Sequence, residues 1–147
     1  MVSPYVCANH VAVSTMQAIV KAESNNNQLA INLNHGHLRY QSRTKEQAIK
    51  WVTYLEKHGY NFDVGLAQVN IKNIHKYGYK AVDALDPCIN LKIASNILYQ
   101  NYQRARHNSS KADALAKAIS AYNTGNYSDG FYNGYVSKVY RVALNAK

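Results

Sequence analysis

Val13-Ser14-Thr15-Met16-Gln17-Ala18-Ile19-Val20-Lys21-Ala22-Glu23-Ser24 is the stretch on which the fold turns. Ser14 followed three residues later by Gln17 is a capping-box pattern, each side chain taking up a free backbone N–H of the first turn. A helix is therefore expected over about Thr15 to Ser24. Met16, Ile19 and Val20 fall at i, i+3 and i+4 and form one apolar stripe facing a core. The next position on that stripe, i+7, is Glu23. Burying a charge is costly unless it is paired or neutralised, so this carboxyl must find a partner, face a cleft or hold its proton. A carboxyl that stays protonated in a dry cleft is what a general acid requires, and that is the working expectation for Glu23. The competing reading is a helix-end residue that ion-pairs with a lysine or points into water.

Outward from this helix the chain alternates apolar signals with strong stops. Asn25-Asn26-Asn27 ends the first helix. Leu29 to Leu33 and Leu38 to Gln41 each alternate apolar and polar about the turn Asn34-His35-Gly36, so a small β-hairpin is expected there. Thr44 with Gln47 is a second capping box, opening a helix that carries Ala48, Trp51, Val52 and Leu55 on one face and stops before Gly59. Asn70 caps a short helix ended by Gly78. Asp86-Pro87 opens the longest helix, with Leu91, Ala94, Leu98, Tyr102 and Ala105 at helical spacing. Ser110 and Asp113 start another, which turns Leu115, Ala118, Ile119 and Tyr122 inward and ends at Gly125. A Gly/Tyr/Asn loop from Tyr127 to Asn133 precedes a last helix over about Gly134 to Leu144. The expected class is mainly α (α+β): one helical domain over residues 1–147 with one small hairpin.

The totals narrow the partners. Seventeen basic against eight acidic residues leave a net charge of +9, which favours anionic partners such as nucleic acid, anionic lipid or an acidic wall polymer. The lysines and arginines are dispersed, without the dense run of a nucleic-acid tail, so no nucleic-acid partner is expected. No stretch reaches the length of a membrane-spanning helix, and Met1-Val2-Ser3-Pro4 does not open a secretory signal. For an exported protein the chain therefore reads as the mature part, or as a trimmed piece of it with an added Met. Cys7 and Cys88 are either two free thiols or the single disulfide of an exported domain. Neither has a CxxC or CxxH companion, so no metal site and no cofactor are expected.

Three short stretches break the local rules: Glu23-Ser24 on its apolar stripe, Gly65-Leu66-Ala67-Gln68-Val69-Asn70, and Ala121-Tyr122-Asn123. Each alone is commonplace as a helix end or a turn. Their order and type, together with Gly59 to Asp63 and Asp86-Pro87-Cys88-Ile89-Asn90-Leu91, resemble the lysozyme-like lytic transglycosylases that cut peptidoglycan. The resemblance covers nearly the whole chain and is closest to the branch found with type IV secretion and conjugation machines. Ala67 stands where the family often has Met or Gly, so the cleft floor is expected to differ slightly.

The resemblance implies a lysozyme-like fold and a single catalytic acid, Glu23. It implies cleavage of the MurNAc–GlcNAc β-1,4 bond with formation of 1,6-anhydro-MurNAc, by a periplasmic monomer that acts on glycan strands beside type IV secretion components. Ser24, Gly65, Leu66, Gln68, Asn70, Tyr122 and Asn123 are then candidates for substrate binding. Tyr122 would donate its hydroxyl to Glu23 or to an N-acetyl group, unless it is a buried core tyrosine. Gly65 would let substrate approach the backbone, and Ser24 would bond the Glu23 carboxyl or merely end the helix. Tyr127, Phe131 and Tyr135 could supply aromatic surface for sugar faces. A hydrolase would need a second carboxylate about 5–9.5 Å from the first. Glu46 and Glu56 read as solvated and Asp86 and Asp113 as caps, which leaves Asp63 as the possible second carboxylate, or as a turn-capping loop residue. The alternatives carried forward are a hydrolytic muramidase and a catalytically silent peptidoglycan-binding module.

Overall fold

The computed structural model describes residues 2–145, so positions 1, 146 and 147 of the expected domain lie outside the described residues. Among the described residues there are seven α-helices and a three-stranded antiparallel sheet, which α3 and α4 contact. The helices are α1 (Val13–Ser24), α2 (Lys45–Lys57), α3 (Ile71–Lys76), α4 (Pro87–Arg106), α5 (Lys111–Thr124), α6 (Asp129–Tyr132) and α7 (Tyr135–Asn145). The strands are β1 (Ile31–Leu33), β2 (Phe62–Val64) and β3 (Val69–Asn70), and Pro4–Cys7 and Ala81–Leu85 are 3-10 turns. The expected α+β class therefore holds.

α4 is the spine. Asp86 caps it by accepting from the Ile89 N–H at 3.1 Å, Pro87 occupies its first turn, and Leu91, Ala94 and Leu98 are fully buried along it. It packs most extensively against α5, while α1 packs against α7. Ser110 caps α5 through the Asp113 N–H, and Gly125 ends it in the left-handed region at φ +84°, as its sequence indicates. Cys7 and Cys88 are disulfide-bonded across 81 residues, which ties the N-terminal 3-10 turn to the start of α4.

Three local expectations change. Asp129–Tyr132 forms the short helix α6 inside the stretch read as a loop, with Asn126 bonding the Asp129 N–H at its start. Ser14 is not the cap of α1: the helix begins at Val13 after Ala12, without a side-chain cap. The incoming chain is held to α4 by the disulfide and by the Asn9 N–H donating to Ser95 Oγ at 3.0 Å, so tertiary tethers set the helix start. The hairpin also has different partners. β1 pairs with β2, not with residues 38–41, and the true hairpin is β2–β3 around Gly65. Gln41 does flank β1, but through its side chain: its amide donates to the Ile31 carbonyl at 2.8 Å and accepts from the Ile31 N–H at 3.0 Å. Alternation marks a strand without naming its partner, and β2 offers Phe62 and Val64, both fully buried.

The register decides what the sheet presents. Ile31, Val64 and Val69 form one buried row, while Asn32, Asp63 and Asn70 form the neighbouring polar row. Between β2 and β3 the backbone turns at Gly65, whose φ is +79°. A Cβ there would lie 2.4 Å from Asn90 Nδ2 and 2.8 Å from the Ala84 carbonyl. Asn90 is itself fully buried; its amide donates to the Val64 and Ala84 carbonyls and accepts from the Ala67 N–H, at 2.8–2.9 Å.

Two stability predictions follow from these tethers. Gly65→Ala combines a left-handed backbone with a steric overlap and is expected to cost roughly 2–4 kcal/mol in chemical denaturation. Replacing both cysteines by serine is expected to cost about 2–4 kcal/mol, read in the same assay against the oxidised wild type.

Candidate active site

A cleft of about 500 Å³ opens beside the polar row of the sheet, with Glu23, Asp63, Gln68, Asn70, Tyr122 and Asn123 in its lining. Five elements supply these residues: the C-terminal turn of α1, β2, the Gly65 turn, the β3–α3 junction and the C-terminal end of α5. Glu23 also borders a second depression that contains Asn32, Gln41 and Lys138, so the residue lines two hollows.

The carboxyl of Glu23 is partly buried at the end of the Met16–Ile19–Val20 stripe. Burial pushes its pKa from 4.5 up to about 7. The hydroxyl of Tyr135, which donates to Glu23 Oε2 at 2.6 Å, opposes that rise. The negative charge of Asp63 adds to it and the Lys138 ammonium reduces it. Lys138 Nζ is held at the site by the Ala22 carbonyl, 3.0 Å away. Near neutrality the group can therefore both release and accept a proton. Tyr135 is a buried residue whose own pKa is raised, first by burial and then by the Glu23 charge, so it remains a donor.

Asp63 sits in an amide cradle. Asn70 Nδ2 donates to Asp63 Oδ1 at 2.9 Å and Asn34 Nδ2 at 3.4 Å, while both amides also reach Asn61 Oδ1. Burial raises the Asp63 pKa and the two amide donors pull it back. Asn34 and Asn61 received no role from sequence; their only signal was proximity to a strand end rich in asparagine.

Several candidates occupy positions other than those expected. Tyr122 donates not to Glu23 but to the Ala67 carbonyl at 2.7 Å, and Tyr135 takes the place beside the acid. Burial drives the Tyr122 pKa well up, and the charges of Glu23 and Asp63 add to that. Ser24 does not bond the Glu23 carboxyl: its hydroxyl donates to the Leu66 carbonyl at 2.7 Å and to the Val20 carbonyl at 3.2 Å. Gly65 and Leu66 lie beneath the cleft, not in its lining. The space beside Gly65 is filled by Asn90, and the Leu66 side chain is buried in the core. Gln68 has an unusual φ of +50°, and its amide nitrogen is committed to the Ala30 and Gly65 carbonyls at 3.1 and 3.0 Å. Its carbonyl oxygen accepts from Asn32 Nδ2 at 2.8 Å. Asn70 caps α3 through the Lys72 N–H and is thereby fixed on Asp63. Asn123 is exposed and accepts from Asn133 Nδ2 at 2.9 Å. Tyr127 and Phe131 are exposed on the α6 segment, outside the cleft lining. Glu56 is not a free surface carboxylate: it accepts from the Ala81 N–H at 2.9 Å and bonds His75 at 2.7 Å.

The chain is similar to known proteins. Residues 2–142 match the model of the transglycosylase SLT domain. A type IV secretion system protein virB1 of Brucella abortus is 42% identical over 144 residues, which is 95% of this chain and 60% of that protein. A protein virB1 of Rhizobium radiobacter is 42% identical over 139 residues, 93% of this chain and 57% of that protein. The protein virB1 of Agrobacterium fabrum is 37% identical over 137 residues. The chain thus spans less than two thirds of the length of these relatives. No solved structure gives a significant match. An acid lodged at a helix end, a glycine turn beneath it and a tyrosine–asparagine corner across from it sit within a match that runs nearly end to end, and the chain belongs to the transglycosylase SLT domain family.

Proposed function

We propose that the protein is a peptidoglycan lytic transglycosylase in which Glu23 serves in turn as general acid and general base. The observation that carries this reading is the Glu23 carboxyl itself, balanced near pH 7 in a sugar-sized cleft under the hydroxyl of Tyr135. Protonated Glu23 gives its proton to the oxygen that bridges MurNAc and GlcNAc as the bond from that oxygen to the MurNAc anomeric carbon breaks. The carboxylate left behind then takes the proton of the MurNAc C6 hydroxyl. The freed oxygen attacks the anomeric carbon and closes the 1,6-anhydro ring. One proton leaves Glu23 and one returns, and no water is consumed. Acid–base exchange of this kind contributes about 10²–10⁴ in rate.

Other side chains support the two states of the acid. Tyr135 stabilises the ionised form, because its hydrogen bond is strongest to a full negative charge. Asp63, kept in the same cleft by Asn70 and Asn34, sets a negative charge near the positive character that develops at the anomeric carbon. Tyr122, Ser24 and Gln68 act through the turn they hold; Asn70 and Asn123 offer polar atoms at the cleft wall. The proposal extends to a periplasmic monomer that opens the wall locally for a type IV secretion or conjugation apparatus. The names of the virB1 relatives support that setting, as does the Cys7–Cys88 disulfide, a bond of oxidising compartments. Asp63 favours one second reading, hydrolysis, because it lines the cleft that also holds Glu23. Mass spectrometry of released muropeptides separates the two: transglycosylation leaves anhydro ends one water lighter than the reducing ends of a muramidase.

Glu23→Gln is expected to lower the clearing of peptidoglycan at least about 10²-fold; equal clearing by mutant and wild type would remove Glu23 from the chemistry. The wild-type kcat/KM is expected to fall as pH rises through about 7, because the reaction starts from protonated Glu23. Tyr135→Phe removes a contact that lowers that pKa, so its alkaline limb should move to higher pH. Stability has the same sign. The folded-state pKa of about 7 lies above the ordinary 4.5, so the contribution of Glu23 to the fold is full below about pH 4.5 and lost as pH rises through about 7. Glu23→Gln should therefore gain on the order of 1–3 kcal/mol over wild type at pH 8 but not at pH 4, read by denaturant unfolding.

A further inference from the structure

The cleft has a second chemical character away from Glu23. Lys72, Asn73 and Lys76 of α3, Tyr77 just after it, and Gln100, Asn101 and Arg104 of α4 all line this part of the cleft. At 1.5 Å of rise per residue, Lys76 lies roughly 9 Å along α3 from Asn70, the residue bonded to Asp63. The lining thus runs from the carboxylates Glu23 and Asp63 to three cations, Lys72, Lys76 and Arg104. Among the described residues no carboxylate lies within 4.0 Å of any of these three. Other cations are spent on the protein: Arg106 on the Ser109 carbonyl, Lys117 on Ser109 Oγ and Lys138 on the Ala22 carbonyl.

A second observation points to a ligand at this end. The hydroxyl of Tyr77 is buried and, among the described residues, has no hydrogen-bond partner. Tyr77 and Arg104 line the same cleft, and while burial raises the Tyr77 pKa, the Arg104 charge lowers it. Leaving a buried hydroxyl unpaired is unfavourable, so a polar group carried into this end by a ligand would meet both.

We infer that Lys72, Lys76 and Arg104, with the Tyr77 hydroxyl, hold free carboxylates of the peptide branches of the glycan strand, so that strands with free peptide carboxylates are bound in preference to strands whose carboxyls are masked. The inference rests on the transglycosylase reading of the cleft. Where the lactyl carboxyl of each MurNAc is taken up in the amide link to a peptide, the sugar backbone is neutral and leaves three cations without a partner, whereas the peptide branches end in carboxylates. The amides of Asn73, Gln100 and Asn101 between the cations match peptide N–H and C=O groups. A nucleic acid would ask for a longer file of cations without interleaved amides.

Calorimetric binding to the Glu23→Gln protein tests this without turnover, using three soluble glycan oligomers: peptide-bearing, peptide-bearing with amidated carboxylates, and peptide-free with its lactyl carboxyls amidated, so that only the first carries carboxylates. The native peptide-bearing oligomer should bind about tenfold more tightly than the other two, and K72A/K76A/R104A should remove that advantage. Single substitutions should each weaken binding roughly two- to threefold, with Arg104→Lys restoring part of the Arg104→Ala loss. The three side chains are exposed, so the substitutions leave the core intact, which a thermal melt checks. Equal affinity for all three oligomers, or an equal loss on all three in the triple variant, overturns the inference. Wild-type turnover is measured in parallel. Carboxylate-dependent binding without any glycan cleavage would keep the cation site and remove the enzyme assignment; cleavage with carboxylate-independent binding would do the reverse.

Discussion

The turn from Gly65 to Gln68 is where the molecule is pinned. Ser24 from α1 donates to the Leu66 carbonyl, Tyr122 from α5 donates to the Ala67 carbonyl, and Asn90 from α4 accepts from the Ala67 N–H. Gln68 folds its own side chain back onto the Gly65 and Ala30 carbonyls. A four-residue turn thus makes hydrogen bonds with three helices, α1, α4 and α5. The same contacts fix where α1 and α5 end relative to β2. A shift of any helix would leave buried polar groups unpaired at about 1–3 kcal/mol each, so the cleft walls are held in one arrangement.

That rigidity allows the electrostatics of the site. Two carboxyls share one cleft but have different surroundings. Glu23 meets apolar neighbours, one hydroxyl and one nearby ammonium, and its pKa rises to about 7. Asp63 meets two amide donors that oppose its burial. Environments that differ in this way are how neighbouring carboxyls take on different roles. Stability and activity then oppose each other at Glu23, since the burial that tunes the acid also penalises its ionised form in the folded state.

Much of the architecture was legible because it rests on short-range rules. Asp86-Pro87, Ser110–Asp113, Thr44–Gln47 and Gly125 mark helix ends through bonds made within three or four residues. Glu23 was legible as a break in a 3.6-residue stripe. The partner of β1 was not, since alternation carries no information about which distant strand will pair. Nor was the role of Ser24, where a helix-end hydroxyl looks the same whether it meets solvent, a carboxyl or a carbonyl 42 residues away.

Residue order alone determined six of the seven helices, the family pattern and the one acid worth pursuing, because periodicity and caps are local; the short α6, read as loop, and the start of α1 were set by packing. Which tyrosine meets that acid was decided only in three dimensions. Tyr135 and Tyr122 both belong to a chain with thirteen tyrosines, and the hydroxyl that bonds Glu23 comes from a residue 112 positions away. The same holds for Asn90 under Gly65 and for the cations of α3 and α4 that converge on one cleft. A hydrogen bond of that range depends on how α1, α5 and α7 dock around a common turn, and that docking energy is shared among contacts too dispersed to appear as a motif.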